Sequence, residues 1–168
     1  MRLTADTFRA LYLEYGPRAQ GFFMRMTGYD IELSRDLTQD LFMRLWSIKD
    51  RYDSQLPFNA WMFTVAYNML RNEHRRQMTV MEYVSSVDKE EPVEVPERLE
   101  QEQRRNMIHA AVERLPEPQK VVFLLKYGED LTITEIAKVC DIPEGTVKSR
   151  MFSALNAVRE YCKLNEKY

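Results

Sequence analysis

Residues 131–161, LTITEIAKVCDIPEGTVKSRMFSALNAVREY, decide how this chain is read. Thr132-Ile133-Thr134-Glu135 is a T-x-x-E capping box, in which a hydroxyl and a carboxylate each satisfy a backbone N–H left orphaned at a helix start. Ile136, Ala137, Val139 and Cys140 give that short helix an apolar side. Asp141-Ile142-Pro143 stops it, and Pro143 suits the first turn of a second, longer helix. Two helices joined by so tight a turn form the unit that lays its second helix in the DNA major groove.

The second helix divides into two faces at about 100° per residue. Val147, Met151, Ala154, Leu155 and Val158 fall on one side as a core stripe, with Lys148, Ser149, Phe152, Ser153 and Asn156 opposite. Lys148 can meet phosphate or guanine, Ser149 and Ser153 can bond base edges or phosphates, and Asn156 can pair with adenine. Phe152 is the odd member of the outward set. Its ring suits either a thymine methyl group or packing on another part of the protein.

Around this unit the chain has 168 residues, room for one domain or two small ones. With only five glycines and 3.6-type apolar spacing almost throughout, the expected class is all-α. No apolar run approaches the roughly 18 residues that span a bilayer. The opening MRLTADTFRALY lacks the apolar stretch and cleavage site of a signal peptide, so a cytoplasmic protein without membrane insertion is expected. Two cysteines, Cys140 and Cys162, are too few for a disulfide framework, and Cys140 reads as a small core residue. His74 and His109 have no partners at metal-ligand spacing. With no glycine-rich phosphate loop, no G-x-S-x-G elbow and no nucleophile-base set, neither a metal, a cofactor nor an enzymatic activity is expected.

Charge is unevenly placed. Residues 1–80 hold 11 basic and 9 acidic groups, residues 81–105 hold 4 and 8, and residues 106–168 hold 9 of each. Neither flank is basic enough for strong DNA binding alone, which favours a DNA reader held in place by a larger partner. The acidic stretch 81–96, MEYVSSVDKEEPVEVP, has two prolines and no sustained helical period and reads as a linker. It divides two helical domains, 1–80 and 97–168.

In the first domain Phe8, Leu11, Tyr12 and Tyr15 stand at helical spacing, Pro17 is expected to interrupt, and Phe22, Phe23 and Met26 resume. A strong helix follows over 31–47, with Leu33, Leu37, Leu41 and Leu45 as its buried stripe. Asp36, Gln39 and Met43 line the other face, with Asp40 and Trp46 at its margins, a composition that suits protein binding. Trp46 equally suits capping the core. A polar loop, residues 49–57, leads to a helix over 58–77 in which Trp61, Val65, Ala66 and Met69 can face inward. Asn68, Arg71, Asn72, Arg75 and Arg76 make its C-terminal half polar and basic. The helix macrodipole favours such charges there, and aromatics beside basic groups also suit single-stranded nucleic acid. The second domain opens with a charged helix over 97–115 and a very apolar one over 119–127, closed by Gly128.

These residues carry a resemblance over nearly the whole length. The segments Asp36-Leu37-Thr38-Gln39-Asp40-Leu41-Phe42-Met43-Arg44-Leu45-Trp46, Pro57-Phe58-Asn59-Ala60-Trp61-Met62-Phe63 and Ala66-Tyr67-Asn68 are followed by Leu115-Pro116-Glu117-Pro118-Gln119, Glu135-Ile136-Ala137 and Ile142-Pro143-Glu144-Gly145-Thr146-Val147-Lys148-Ser149-Arg150. In that order, with an acidic linker between, they resemble the extracytoplasmic-function (ECF) sigma factors of bacterial RNA polymerase. The resemblance implies sigma domain two, then a linker through the polymerase cleft, then sigma domain four. It implies docking of Asp36, Gln39, Asp40, Met43 and Arg44 on the clamp helices of the polymerase largest subunit. It implies capture of the melted −10 strand by the loop with Arg51 and the helix with Asn59, Asn68, Arg71, Asn72, Arg75 and Arg76. It further implies −35 reading by Thr146, Lys148, Ser149, Arg150, Phe152 and Ser153, with the apolar helix before them on the flap of the second-largest subunit. An anti-sigma factor is implied as a further partner. One departure implies a −35 contact that is weaker or differently specified. Many relatives carry more Arg or Lys after the Ser149-Arg150 pair, where this chain has Met151-Phe152-Ser153-Ala154-Leu155-Asn156-Ala157. Two other readings compete: a sigma-like protein that only sequesters an anti-sigma factor, which needs no −10 reader, and a stand-alone helix-turn-helix repressor, which explains only the last third.

Overall fold

A computed structural model describes residues 3–81 and 100–166. The segment 82–96 of the expected linker, and the expected helix start at 97–99, lie outside the described residues. Among the described residues all regular structure is helical, as the spacing required. The first half contains α1 (Ala5–Met26), α2 (Ile31–Ser47) and α3 (Phe58–Met81). The second contains α4 (Glu100–Glu113), α5 (Glu117–Phe123), α6 (Ile133–Cys140) and α7 (Glu144–Asn165).

Thr4 caps α1 by accepting from the Thr7 N–H at 3.2 Å. Pro17 does not interrupt this helix, contrary to the sequence expectation. It stands on the solvent side, and the carbonyl deprived of its N–H belongs to Leu13, which is 67% exposed and open to water. One turn later Ala19, Phe22 and Phe23 are buried, and their packing holds the helix together past the break in its hydrogen-bond ladder. Gly28 (φ +64°) supplies the left-handed turn that ends α1, and Asp30 then caps α2 through the Leu33 N–H at 3.0 Å.

Leu37, Leu41 and Leu45 are buried as the period required, with Leu33 half-buried at the end of the stripe. Phe42 widens that stripe toward α1, where its ring meets Tyr12 edge-on at 4.8 Å. In α3 the most deeply buried side chains are Met62, Phe63, Ala66, Tyr67 and Leu70, while Trp61, Val65 and Met69 are half-buried on the flank. This helix is covered on more than one side: α1 and α2 pack against it, and so does α6 from the second half.

In the second half α5 gives way at Leu124–Gly128 to a π-helical turn, so the apolar segment 119–127 is not one regular helix. The wider turn lets Leu124 and Leu125 follow Val121 and Val122 into the same core. The expected capping box is present, with the Glu135 N–H donating to Thr132 Oγ1 at 3.2 Å and the Thr132 N–H to Glu135 Oε2 at 2.8 Å. Ile136, Ala137, Val139 and Cys140 are buried as expected. Asp141 ends α6 in the left-handed conformation, and Pro143 occupies the cap position just before α7. The Thr134 hydroxyl donates to Glu144 Oε1 at 2.9 Å, tying α6 to the start of α7.

Candidate protein and nucleic-acid interfaces

The first candidate surface lies on α2. Asp36, Gln39, Asp40, Met43 and Arg44 are all exposed, because the leucine stripe fixes which side of the helix faces the core. Gln39 and Met43 lie along an open, mainly apolar groove of about 470 Å³ between α1 and α2. Phe8 and Tyr12 of α1 form its other wall, Phe42 its floor and Trp46 its end. Met43 is 64% exposed there, an adaptable apolar side chain beside three carboxylate or amide neighbours. Trp46 caps the core and also stays open to solvent. Its ring rests on Phe8 at 5.0 Å with Lys49 Nζ 4.3 Å from its centroid, yet it stays 38% exposed as a groove wall. Phe8 and Tyr12 were legible as a helical stripe, but nothing in their spacing marked them as lining a surface.

The second surface runs from the loop after α2 along α3. The loop is folded onto the helix: Tyr52 packs on Trp61 at 4.9 Å and on Phe58 at 5.9 Å, and its hydroxyl donates to the Leu56 carbonyl at 2.8 Å. Arg51 stands exposed beside this anchor. Asn59, in the first turn of α3, is half-buried, and its side-chain oxygen accepts from the Ala60 N–H at 2.9 Å. Asn68, Asn72, Arg75 and Arg76 are exposed along one side of α3, and half-buried Arg71 edges that side with its guanidinium 5.7 Å from the Tyr67 ring centroid. The structure therefore brings five of the seven residues into one polar, basic strip, with Asn59 and Arg51 at the other end of the helix.

The third surface is the outward side of α7. Lys148, Ser149, Phe152 and Ser153 are exposed, while Thr146 and Arg150 are half-buried at its edge. Val147, Ala154 and Val158 are buried and Met151 and Leu155 half-buried, as the stripe required. Phe152 is 69% exposed, and no ring among the described residues stacks on it. The Ser149 hydroxyl donates to the Thr146 carbonyl at 3.0 Å, leaving its oxygen lone pairs outward. Cys140, just before the turn, is buried, and burial pushes its thiol up to about 11, which makes it an inert packing residue. Among the described residues no cluster of His, Cys, Asp and Glu could hold a metal ion.

Comparison with known proteins gives these surfaces a context. The family model for sigma-70 region 2 matches residues 11–79, and the model for sigma-70, region 4 matches residues 105–158. The ECF RNA polymerase sigma factor SigL of Mycobacterium tuberculosis is 32% identical, covering 92% of this chain and 88% of its own length. The RNA polymerase sigma factor CarQ of Myxococcus xanthus is 30% identical with the same coverages, 92% and 88%. Among solved structures, the sigma factor RpoE of Bartonella quintana, in complex with the anti-sigma factor NepR, shares the fold. Its TM-score is 0.79 at 22% identity, over 94% of this chain and 98% of that one. No helix among the described residues is long and apolar enough to cross a membrane.

Proposed function

This chain belongs to the ECF sigma factors of bacterial RNA polymerase, which bind core polymerase and direct promoter-specific initiation, and we propose how its surfaces divide that work. The α1–α2 groove with Asp36, Gln39, Asp40, Met43 and Arg44 docks on the clamp helices of the largest subunit. An apolar trough rimmed by charge suits an amphipathic helix, which supplies apolar anchors and a charged edge. The loop around Arg51 and the basic strip of α3 take the melted −10 strand, with guanidinium groups on phosphates and amides on base edges. The α7 face reads −35 duplex through Lys148, Ser149, Phe152 and Ser153, with Thr146 and Arg150 at the phosphates. Its sparse positive charge makes that contact dependent on the polymerase, with the apolar α5 region resting on the flap.

The role is non-catalytic and cytoplasmic, because the chemistry belongs to the polymerase and the chain acts where polymerase works. The observation that carries this reading is the placement of three residue sets, most of their members exposed and the rest half-buried at the edges, on three separate surfaces of one small all-α chain. A protein that only sequesters an anti-sigma factor has no need of the basic α3 strip. An anti-sigma factor would act by covering the open, mainly apolar α1–α2 groove. Co-purification with core polymerase followed by run-off transcription on a promoter library tests the assignment. Stable association with new, sequence-specific transcripts supports it, and absence of association at low salt rejects it.

A further inference from the structure

α1 carries an exposed proline at its centre, where any other residue would close one more backbone hydrogen bond. The carbonyl left without its N–H partner belongs to Leu13. Leu13 and Pro17 line a second hollow, of about 190 Å³, which Gly16, Gln20 and Thr38 of α2 help to form. Its remaining wall is Tyr12, which is also a wall of the α1–α2 groove described above. A local rule broken on an exposed helix face, with the freed acceptor beside a hollow, points to a use outside the chain.

The two hollows form one trough. Ala5, Arg9, Tyr12, Gly16 and Gln20 follow one another by three or four residues, so they share one side of α1. From Ala5 to Gln20 that side runs about 22 Å at ~1.5 Å per residue, the length of about four turns of a partner helix. On α2 the opposite wall runs back from Trp46 through Met43 and Gln39 to Thr38. Tyr12 divides the trough without closing it. Its ring meets Phe42 edge-on at 4.8 Å in the first half, and lies 3.9 Å from where a Cβ on buried Gly16 would stand in the second. The chemistry grades from apolar at Trp46 to polar at the Leu13 carbonyl and the Gln20 amide. The Thr38 hydroxyl donates to the Ser34 carbonyl at 2.7 Å, so it is not a donor for Leu13.

We propose that core polymerase occupies the whole trough, past Tyr12 to Gln20, and that Pro17 presents the Leu13 carbonyl to a donor on the polymerase. The proposal rests on the docking of the α1–α2 groove stated above. Because Tyr12 is a wall of both hollows, a helix seated in the first continues onto the second. The occupant is an amphipathic helix with apolar anchors against Phe8, Met43 and Leu13. At its far end a side-chain N–H of Lys, Arg, Asn or Gln reaches the Leu13 carbonyl. An acceptor fixed on a helix backbone loses no side-chain freedom on binding, so the contact sets the partner's position along the trough. Pro17 lowers the stability of α1 and gives the docking surface a polar end that a regular helix would not offer.

The test titrates core polymerase with full-length wild type, Pro17→Ala and Leu13→Ala, each also melted by circular dichroism. Pro17→Ala returns an N–H to the Leu13 carbonyl on an exposed face, so the fold is kept. It should melt about 5 °C higher yet bind core roughly fivefold more weakly. A proline with only a structural role would give the higher melting temperature with unchanged binding, and that result would overturn the proposal. Leu13→Ala trims a side chain that is 67% exposed, and should weaken binding roughly threefold at an unchanged melting temperature. If both variants bind as wild type does while Asp40→Arg binds more weakly, the interface stops at Tyr12 and the proposal fails with the groove intact. Self-association of the wild type in sedimentation that Pro17→Ala loses, with core affinity unmoved, gives the trough to a second copy and overturns the proposal equally. A wild type that binds no core polymerase overturns the sigma reading itself, and the proposal with it.

Discussion

α3 and α7 both carry residues proposed to meet DNA, yet they are built on different plans. α3 is enclosed by α1 and α2 on one side and α6 on another, so its polar residues are confined to a strip that holds Arg71, Arg75 and Arg76. α7 is covered along one stripe and leaves a broad outward side, on which Lys148 stands with two serines and an exposed phenylalanine. The first design suits a flexible single strand, whose phosphates need charge and whose bases need rings and amides. The second suits a duplex already brought into position, where shape and methyl contacts discriminate and little charge is needed to hold on. On the proposed assignment, the difference separates affinity from sequence discrimination along the chain, with the polymerase supplying what α7 lacks.

The largest effect should come from attacking charge on α3. Arg75→Glu with Arg76→Glu is expected to lower promoter opening by roughly two orders of magnitude, because two phosphate contacts become repulsions. Permanganate reactivity of the melted region reads this directly, and core binding should be unchanged. Normal reactivity would remove the strip from the account.

Packing gives the next contrast. Leu70→Ala on α3 should cost about 2–5 kcal/mol of stability, since the residue is 2% exposed in a continuous core. Phe152→Ala on α7 should stay within about 0.5 kcal/mol. A chemical denaturation series on the two variants measures both. A large loss from Phe152→Ala would mean that its ring has an internal role, and it would erase the contrast between the helices.

Docking sharpens the comparison from outside. Asp40→Arg inverts charge at the edge of the α1–α2 groove and is expected to weaken core binding about tenfold, with a changed salt dependence. Titration against core enzyme checks this. Equal affinity would move the docking face off α2.

The smallest effect concerns pH at the junction of the halves. Burial first, and then the Arg25 guanidinium of α1, hold His109 of α4 below its usual 6.5, against the pull of Glu113 and with a further push from Arg105. The packed state therefore favours neutral His109. Its contribution is present above 6.5 and is lost as pH falls through the lowered value. Glu129 acts oppositely: burial raises it above 4.5 despite Arg18, so its contribution is present below 4.5 and is lost as pH rises through the raised value. Melting between pH 7 and about 5.5 should show a modest loss toward acid that His109→Gln flattens. An unchanged slope in that variant would discount His109.

Much of this architecture was legible in the sequence because short-range rules govern it. The capping box at Thr132–Glu135, the leucine stripe of α2 and the two faces of α7 all follow from 3.6-residue spacing and cap chemistry. Pro17 misled because the local penalty was visible while the packing of Ala19, Phe22 and Phe23 beyond it was not. The inward side of α3 was blurred for a related reason: a helix covered from two directions has apolar residues around much of its girth, so periodicity alone does not single out Phe63 or Tyr67. The π-helical turn at Leu124–Gly128 has no simple sequence signature. The pairing of Arg18 with Glu129 joins residues 111 positions apart, which no local pattern encodes. The candidate interfaces were legible as faces, whereas the groove that joins Met43 to Phe8 and Tyr12 needed the packing of α1 on α2.

The division between α3 and α7 is tested most directly by run-off transcription from a randomised promoter library, using core polymerase reconstituted with wild type, Phe152→Ala or the Arg75→Glu/Arg76→Glu pair. Phe152→Ala should alter selected bases only in the upstream element. The arginine pair should abolish transcripts from every sequence while the reconstituted enzyme still binds upstream DNA. Altered preference at the downstream element with Phe152→Ala, or normal transcript yield from the arginine pair, would show that the two helices do not divide promoter recognition in this way.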